Sequence, residues 1–339
     1  MSLAASIIRR VLIMIPMLIG VTLLAFIVTH MVPSDPIVLL VSEKAMNNPE
    51  IVKAAIEKWG LDRSLPEQYF YYLGNLLQGD LGVSFKTRRP VADDLVEYFP
   101  ATIELGFSAM LFALVFGLPL GIAAAINQGK WIDHLTRFIS MFGASMPPFW
   151  SGLMALYLLW YRIPIMASPG RLDTHLALPP RVTGLILVDS LLSKDWIAFT
   201  NGLHHLILPS IILGWFTLAI IARVTRASLL EVLQMDYIRT ARAKGLRERR
   251  MIVVHALRNA FIPTLTVLGL AFAWLMAGAI MTETIFAWPG IGRYAVEAAS
   301  NLDYPAVLGT TLLFAVIFMF SNLVVDILYC VLDPRIRQI

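Results

Sequence analysis

The sequence predicts an all-α polytopic membrane protein with six transmembrane helices and both termini cytoplasmic. Three observations predict it. First, 58% of the 339 residues are apolar and only 15% are charged, against about half and about a quarter in a soluble domain. Second, six stretches approach the roughly 20 apolar residues a helix needs to cross hydrocarbon with its backbone satisfied internally. Third, Lys and Arg crowd into alternate connections, as the positive-inside rule requires. A chain this apolar excludes disorder. The single cysteine, Cys330, excludes an intrachain disulfide scaffold.

The first span is Val11 to Thr29, after Arg9 and Arg10. Its apolar run is too long for a usual signal core, and no small-x-small cleavage site follows, so an uncleaved helix is expected. Residues 1–30 thus form an N-terminal membrane unit. Residues 31–97 form an extracytoplasmic helical segment. Within it Pro49 to Trp59 has helical spacing with Gly60 as a stop, and Glu67 to Gln78 is aromatic-rich, ending at the turn Gly79-Asp80-Leu81-Gly82. A cap with its aromatics at headgroup level and a docking surface for a substrate-delivering protein both fit.

Residues 98–332 hold the other five spans: about Ile103 to Ile126, Phe138 to Tyr161, Leu206 to Ala222, Phe261 to Met281, and Val307 to Leu332. A tail, 333–339, follows. The short connections assigned to the cytoplasm carry fifteen Lys and Arg, and the opposite ones four. The net charge of +4 therefore reports topology and contact with membrane lipid, with no nucleic-acid partner implied.

The connection at about 227–259 differs in kind. Nine of the 27 Lys and Arg lie in or beside it, from Arg223 to Arg258. Leu229, Leu233, Tyr237 and Ala241 recur every fourth residue, predicting an apolar stripe on one helix. Gly245 falls where that helix ends, with Leu246 as the hydrophobic contact of a C-cap. A second helix begins near Arg247, with Ile252, Val253 and Ala256 on one face. Basic residues near spans follow the positive-inside rule without further purpose. The stripe, the small residues and the glycine corner add the shape of a segment built to enter a partner's groove.

Polar residues in the spans are weighed individually. Asp326, with Asn322 one turn earlier, is either a helix-packing group or a pathway carboxylate, with packing favoured. Glu104 and Glu283 lie near the outer ends of spans and would face a binding protein or water; Glu283, like Asn322 and Asp326, is also a candidate pathway or helix-packing residue. His175, His204 and His205 lack a supporting carboxylate or thiolate cluster, so a solvated loop is expected and no metal. Met14, Met17, Met141 and Met146 read as packing. No Gly-x-x-x-x-Gly-Lys-Ser/Thr stands in the chain, so it holds no nucleotide cofactor. Neither Gly-x-Ser-x-Gly nor His-Glu-x-x-His is present, which removes the usual intramembrane proteases. A secondary transporter would carry paired broken helices in two repeats, and no repeat is seen.

Thr240-Ala241-Arg242-Ala243-Lys244-Gly245-Leu246, followed by His255-Ala256-Leu257-Arg258-Asn259-Ala260, resembles the cytoplasmic loop of binding-protein-dependent ABC importer permeases, and more narrowly the dipeptide, oligopeptide and nickel branch. Asp35-Pro36, Gly79-Asp80-Leu81-Gly82-Val83-Ser84, Ser145-Met146-Pro147 through Trp150, Asp236-Tyr237-Ile238-Arg239, Thr282-Glu283-Thr284-Ile285-Phe286 through Trp288-Pro289-Gly290, Asp303-Tyr304-Pro305 and Asp333-Pro334-Arg335-Ile336-Arg337 agree in order and spacing. Ser34 and Leu302 depart from that pattern. The resemblance implies the type I ABC importer transmembrane fold and a non-catalytic transporter subunit. It implies pairing with a second homologous permease, two ABC ATPase subunits that bind ATP and Mg, and an extracytoplasmic substrate-binding protein. It assigns Asp236, Tyr237, Arg239, Ala241, Arg242, Ala243, Lys244, Gly245 and Leu246 to the ATPase-coupling loop, and short peptides as the favoured substrate.

Overall fold

The computed structural model describes residues 3–31, 49, 50, 53 and 63–332. Asp35-Pro36, most of the helix expected from Pro49 to Trp59, and the tail from Asp333 lie outside the described residues, as does the side chain of Cys330. The described residues are helical apart from turns, an irregular stretch at 163–185 and one isolated bridge, Val83 to Pro90.

Helix α1 (Leu3–Met31) buries little beyond Phe26, Thr22 and Thr29, so it lies along the edge of the bundle. Helix α2 (Leu65–Leu77) opens with the Glu67 carboxylate accepting from the Ser64 N–H at 3.0 Å, a capping arrangement that stops the chain from fraying. It lies across α1. Its Tyr69 ring meets Phe26 edge-on at 5.4 Å, and its hydroxyl donates to the Ile19 carbonyl at 3.0 Å.

Helix α3 (Val91–Ile126) and helix α7 (Trp196–Leu233) form the central pair. Ala101, Ala109, Ala113, Ala219 and Ala222 are almost wholly buried, and such small residues let helices approach closely where water supplies no drive. Helix α9 (Leu257–Ile285) adds Ala271, Leu275 and Ala279 to that core. Helix α11 (Tyr304–Leu332) packs between α9 and α1. The shorter elements are α4 (Trp131–Ser145), α5 (Pro148–Ala155), α6 (Ile186–Leu192), α8 (Asp236–Ala243) and α10 (Ile291–Ser300).

Five helices among the described residues are long and apolar enough to cross a membrane: Ile7–Met31, Val91–Ile126, Trp196–Leu233, Glu248–Met276 and Tyr304–Ile327. The run expected as a single helix from Phe138 to Tyr161 is instead broken. α4 stops at Ser145, Met146 is extended at φ −88 and ψ 127, and α5 starts after Pro147 before widening into a π-helical turn, Leu156–Arg162. Two consecutive prolines offer no amide hydrogens, and each forces its predecessor out of the helical region.

Candidate functional site

At the basic end of the molecule the chain leaves α7, turns and returns into α9. The expected apolar stripe is not on one helix. α7 ends at Leu233, Gln234 and Met235 form a turn, and α8 starts afresh at Asp236. Leu229, Val232 and Ile238 face inward and pack with Met251, Ile252, Ala256 and Ala260 of the returning leg, while Tyr237 is exposed. Val253, expected on one face with Ile252 and Ala256, is exposed while those two are buried. A π-helical stretch, Met251–Ala256, separates Glu248–Arg250 from α9. That wider turn sets the buried Met251 and Ala256 five positions apart rather than four.

The corner itself is a glycine-capped helix end. Gly245 has φ +74; its N–H donates to the Arg242 carbonyl at 3.0 Å, and the Leu246 N–H donates to the Ala241 carbonyl at 3.3 Å. These are the two bonds of a Schellman motif. A β-carbon at position 245 would meet nothing, so only the backbone angle calls for glycine there. Arg242, Ala243, Lys244 and Gly245 are exposed. The two legs are tied by the Asn259 side-chain amide, which donates to the Tyr237 hydroxyl at 2.8 Å. Arg239 pairs with Asp236 at 3.3 Å on the surface.

A stronger anchor lies behind the corner, at residues sequence reasoning passed over. Arg226 of α7 grips the fully buried Asp133 of α4 through both carboxylate oxygens, at 2.6 and 2.9 Å. Asp133 also accepts from the Gly129 N–H at 3.0 Å and from Arg137 at 3.0 Å. The Arg226 hydrogen bond, followed by the smaller contributions of Gly129 and Arg137, holds the Asp133 carboxyl well below the usual carboxylate range despite its burial. The sequence signal was available: Asp133 is the acid in the first turn of α4, in a connection otherwise basic.

The opposite end is built differently. Glu283, expected near a water-facing end, is fully buried. The Thr102 hydroxyl donates to it at 2.7 Å, and the Arg293 N–H at 3.0 Å, from the first turn of α10. It therefore joins three helices and faces neither water nor a partner. Glu104 is likewise buried, receiving the Arg171 guanidinium at 2.5 Å and the Leu187 N–H at 2.9 Å. Trp288, 1% exposed, donates its indole N–H to the Ala101 carbonyl at 2.8 Å, with Arg171 over its ring. Asp303 accepts from Ser84 at 2.5 Å and from the Lys86 N–H at 3.1 Å, so the stretch from Gly79 to Ser84 is bound to the start of α11.

The histidines fall into structural roles. The ring nitrogens of His205, which is buried, lie 3.1 Å from the Gly170 carbonyl and 3.2 Å from Asp173; His204 lies 3.2 Å from the Ile165 carbonyl. Among the described residues no group of three or more His, Cys, Asp or Glu is placed to hold a metal. Asp326 pairs with Arg10 of α1, which supports packing rather than a pathway role, and Asn322 is half-buried one turn away.

Comparison with known proteins gives this arrangement a context. A family model described as "Binding-protein-dependent transport system inner membrane component" matches residues 117–338, and its N-terminal companion matches 3–106. A di/tripeptide transport system permease protein of Pseudomonas aeruginosa is 47% identical over 330 residues, covering 97% of this chain and 98% of that one. A dipeptide transport system permease protein of Escherichia coli K12 is 44% identical over 334 residues, 98% of each. A glutathione transport system permease protein of Escherichia coli O6:H1 is 37% identical over 331 residues, again 98% of each. The chain belongs to the family of inner-membrane components of binding-protein-dependent transport systems, and is a multi-pass permease of the inner membrane.

Proposed function

We propose that the chain forms half of the translocation pathway of an ATP-driven dipeptide importer. The observation that carries this reading is its end-to-end similarity, at 44–47% identity, to permeases named for dipeptides and for di- and tripeptides. A second, related permease completes the pathway. Two ATPase subunits, which bind the ATP and Mg, engage the loop from Asp236 to Leu246, and a binding protein delivers substrate to the opposite face.

The geometry of the corner supports the coupling role. A Schellman cap fixes the angle between two helices, and the Tyr237–Asn259 bond closes their base. A push on such a corner is passed into α7 and α9, which reach the core, rather than absorbed by a floppy loop. The broken segment from α4 to the π-helical turn, taken as the sixth crossing, brings both termini to one side. That accords with the meeting of Arg10 and Asp326, near the start of α1 and the end of α11. The basic corner supports a cytoplasmic position for that side under the positive-inside rule.

The test is uptake of a labelled dipeptide into proteoliposomes holding the whole complex with binding protein outside and ATP within. Uptake should stop without ATP and persist when ion gradients are collapsed. ATP-independent uptake by this chain alone would refute the reading.

A further inference from the structure

The segment that breaks the third apolar run also opens a cavity. α4 runs back along α7: Asp133 meets Arg226 at one end of their contact, and Gly143 lies against Trp215 further along. By helical rise Gly143 stands about 15 Å from Asp133, roughly halfway through a hydrocarbon layer about 30 Å thick. Just beyond that height α4 stops, and Ser145, Pro147, Pro148, Phe149 and Trp150 are exposed. Pro147 and Pro148 bring no N–H to the carbonyls of Gly143 and Ala144, four residues earlier. Backbone without its helical donors does not face lipid at this depth; it is covered by protein or lines a water-filled passage.

Between the break and the middle of α7 lies a cavity of about 370 Å³. Phe142, Met146, Met154, Leu158, Ile212 and Phe216 form much of its wall. The side chains lining it are apolar apart from the Ser151 hydroxyl and the indoles of Trp150 and Trp215. Ser151 is already engaged, donating to the Pro147 carbonyl at 3.2 Å. Trp215 is not. Its Nε1 is buried and meets no acceptor among the described residues.

The local sequence makes room for that indole. A β-carbon at position 143 would overlap the Cδ1 and Nε1 edge of Trp215, so only glycine admits the ring there. A buried donor left unpaired costs about 1–3 kcal/mol, which a carbonyl on a ligand would recover. An acyl chain fills an apolar cavity but brings no acceptor. A peptide group brings a carbonyl for the indole, and the side chain beside it brings apolar surface for the wall. Apolar pockets with one or two placed polar groups are the usual form of a small-ligand site, and transporters place such sites near mid-membrane, where helices are broken.

We propose that this cavity is a mid-membrane resting site for the transported peptide, holding one apolar side chain while the adjoining peptide carbonyl accepts from the Trp215 indole. The inference rests on the importer reading above and adds to it a place on this chain where substrate is felt. The charged termini of the peptide stay in the water of the passage. Peptides with bulky apolar side chains then gain from the cavity, and glycyl peptides do not.

The whole importer in proteoliposomes, with binding protein outside and ATP within, tests this. Uptake of each dipeptide is expressed relative to wild type, so that the preference of the binding protein cancels. Ser151→Phe, which fills the cavity, should lower Leu-Leu uptake about tenfold more than Gly-Gly uptake. Trp215→Phe, which keeps a ring and removes the donor, should lower Leu-Leu uptake about fivefold. Equal losses for the two dipeptides in Ser151→Phe, or full Leu-Leu uptake by Trp215→Phe, overturn the cavity and leave the importer reading intact. Absence of ATP-dependent uptake by the wild type strikes the importer reading itself, and the cavity with it. A photo-reactive residue at position 154 gives a readout that does not depend on the yield of those variants. It should cross-link labelled Leu-Leu during ATP turnover, and cross-links confined to lipid or to the second permease overturn the proposal.

Discussion

The two ends of the bundle spend their charge in opposite ways. At the Trp288 end the carboxylates are buried and answered: Glu283 by Thr102 and the α10 backbone, Glu104 by Arg171 and the Leu187 N–H, Asp303 by Ser84 and Lys86. At the Gly245 end the charges are mostly exposed cations, and among the described residues Lys244, Arg247, Arg249 and Arg250 are in no ion pair, whereas Arg239 pairs with Asp236. Buried polar groups must be satisfied where they stand, so the first end is complete in itself and resists rearrangement. Exposed cations without partners cost little, and they keep the second end open to another protein. One end is a rigid closure and the other an exposed basic corner, although both hold a glycine at the turn.

This contrast predicts a descending series of effects. The largest belongs to Gly290→Ala. A methyl there would stand 2.4 Å from the Glu283 carboxylate, which has no room to leave. A cost of about 3 kcal/mol or more is expected, as for overpacking against a side chain that cannot move, seen as loss of monodisperse protein on size exclusion. A variant with the wild-type melting temperature would show that this end is not closed.

Asp133→Asn comes next. It removes the acid gripped by Arg226, and because Arg226 is only about four-fifths buried the expected loss is near 2 kcal/mol rather than the full cost of breaking a buried pair. The sign with pH follows from the lowered pKa of Asp133. Its contribution is complete above the unfolded value of about 4 and is lost as pH falls from there towards the depressed folded value. The melting temperature of the wild type should therefore drop more steeply below about pH 4 than that of the variant. Parallel curves would remove Asp133 from the account.

Gly245→Val should cost only about 1 kcal/mol in stability, because nothing crowds the site and only the left-handed angle is penalised. Its effect appears in coupling instead: ATP hydrolysis continues while dipeptide taken up per ATP falls. Normal uptake with normal stimulation of hydrolysis would exclude the corner as the coupling element. The smallest effect is that of Tyr237→Phe, which deletes one exposed hydrogen bond to Asn259, worth about 0.5 kcal/mol. Melting should barely move.

The apolar runs and the glycine corner were legible in the sequence because both depend on neighbours within a few residues. Hydrophobic length marks a crossing helix, and a glycine followed by leucine marks a Schellman end. Partners remote in sequence were not legible. Glu283 was expected near water because it sits at the end of a run, yet its answering hydroxyl, Thr102, is 181 residues away. Glu104 failed for the same reason, with Arg171 67 residues distant. The broken third run was within reach, since Pro147-Pro148 stands in plain view, but an averaged hydropathy passes over two prolines in an apolar segment. The split of the Leu229–Ala241 stripe is subtler. The four-residue spacing is real, but Gln234 and Met235 form a turn between the two helices, so equal spacing in sequence does not become one face in space.

The pairing of Arg10 with Asp326 joins α1 to α11, which is made some three hundred residues later. During synthesis α1 enters the bilayer while most of the chain is still untranslated, and its arginine has no acid to meet until α11 emerges. The N-terminal helix must therefore wait at the edge of the growing bundle with a charge near its membrane boundary, held there by headgroups. A chain released early, or one whose final helix fails to insert, keeps that arginine unanswered. The pair thus forms only once Asp326 has been made, and it links α1 to α11.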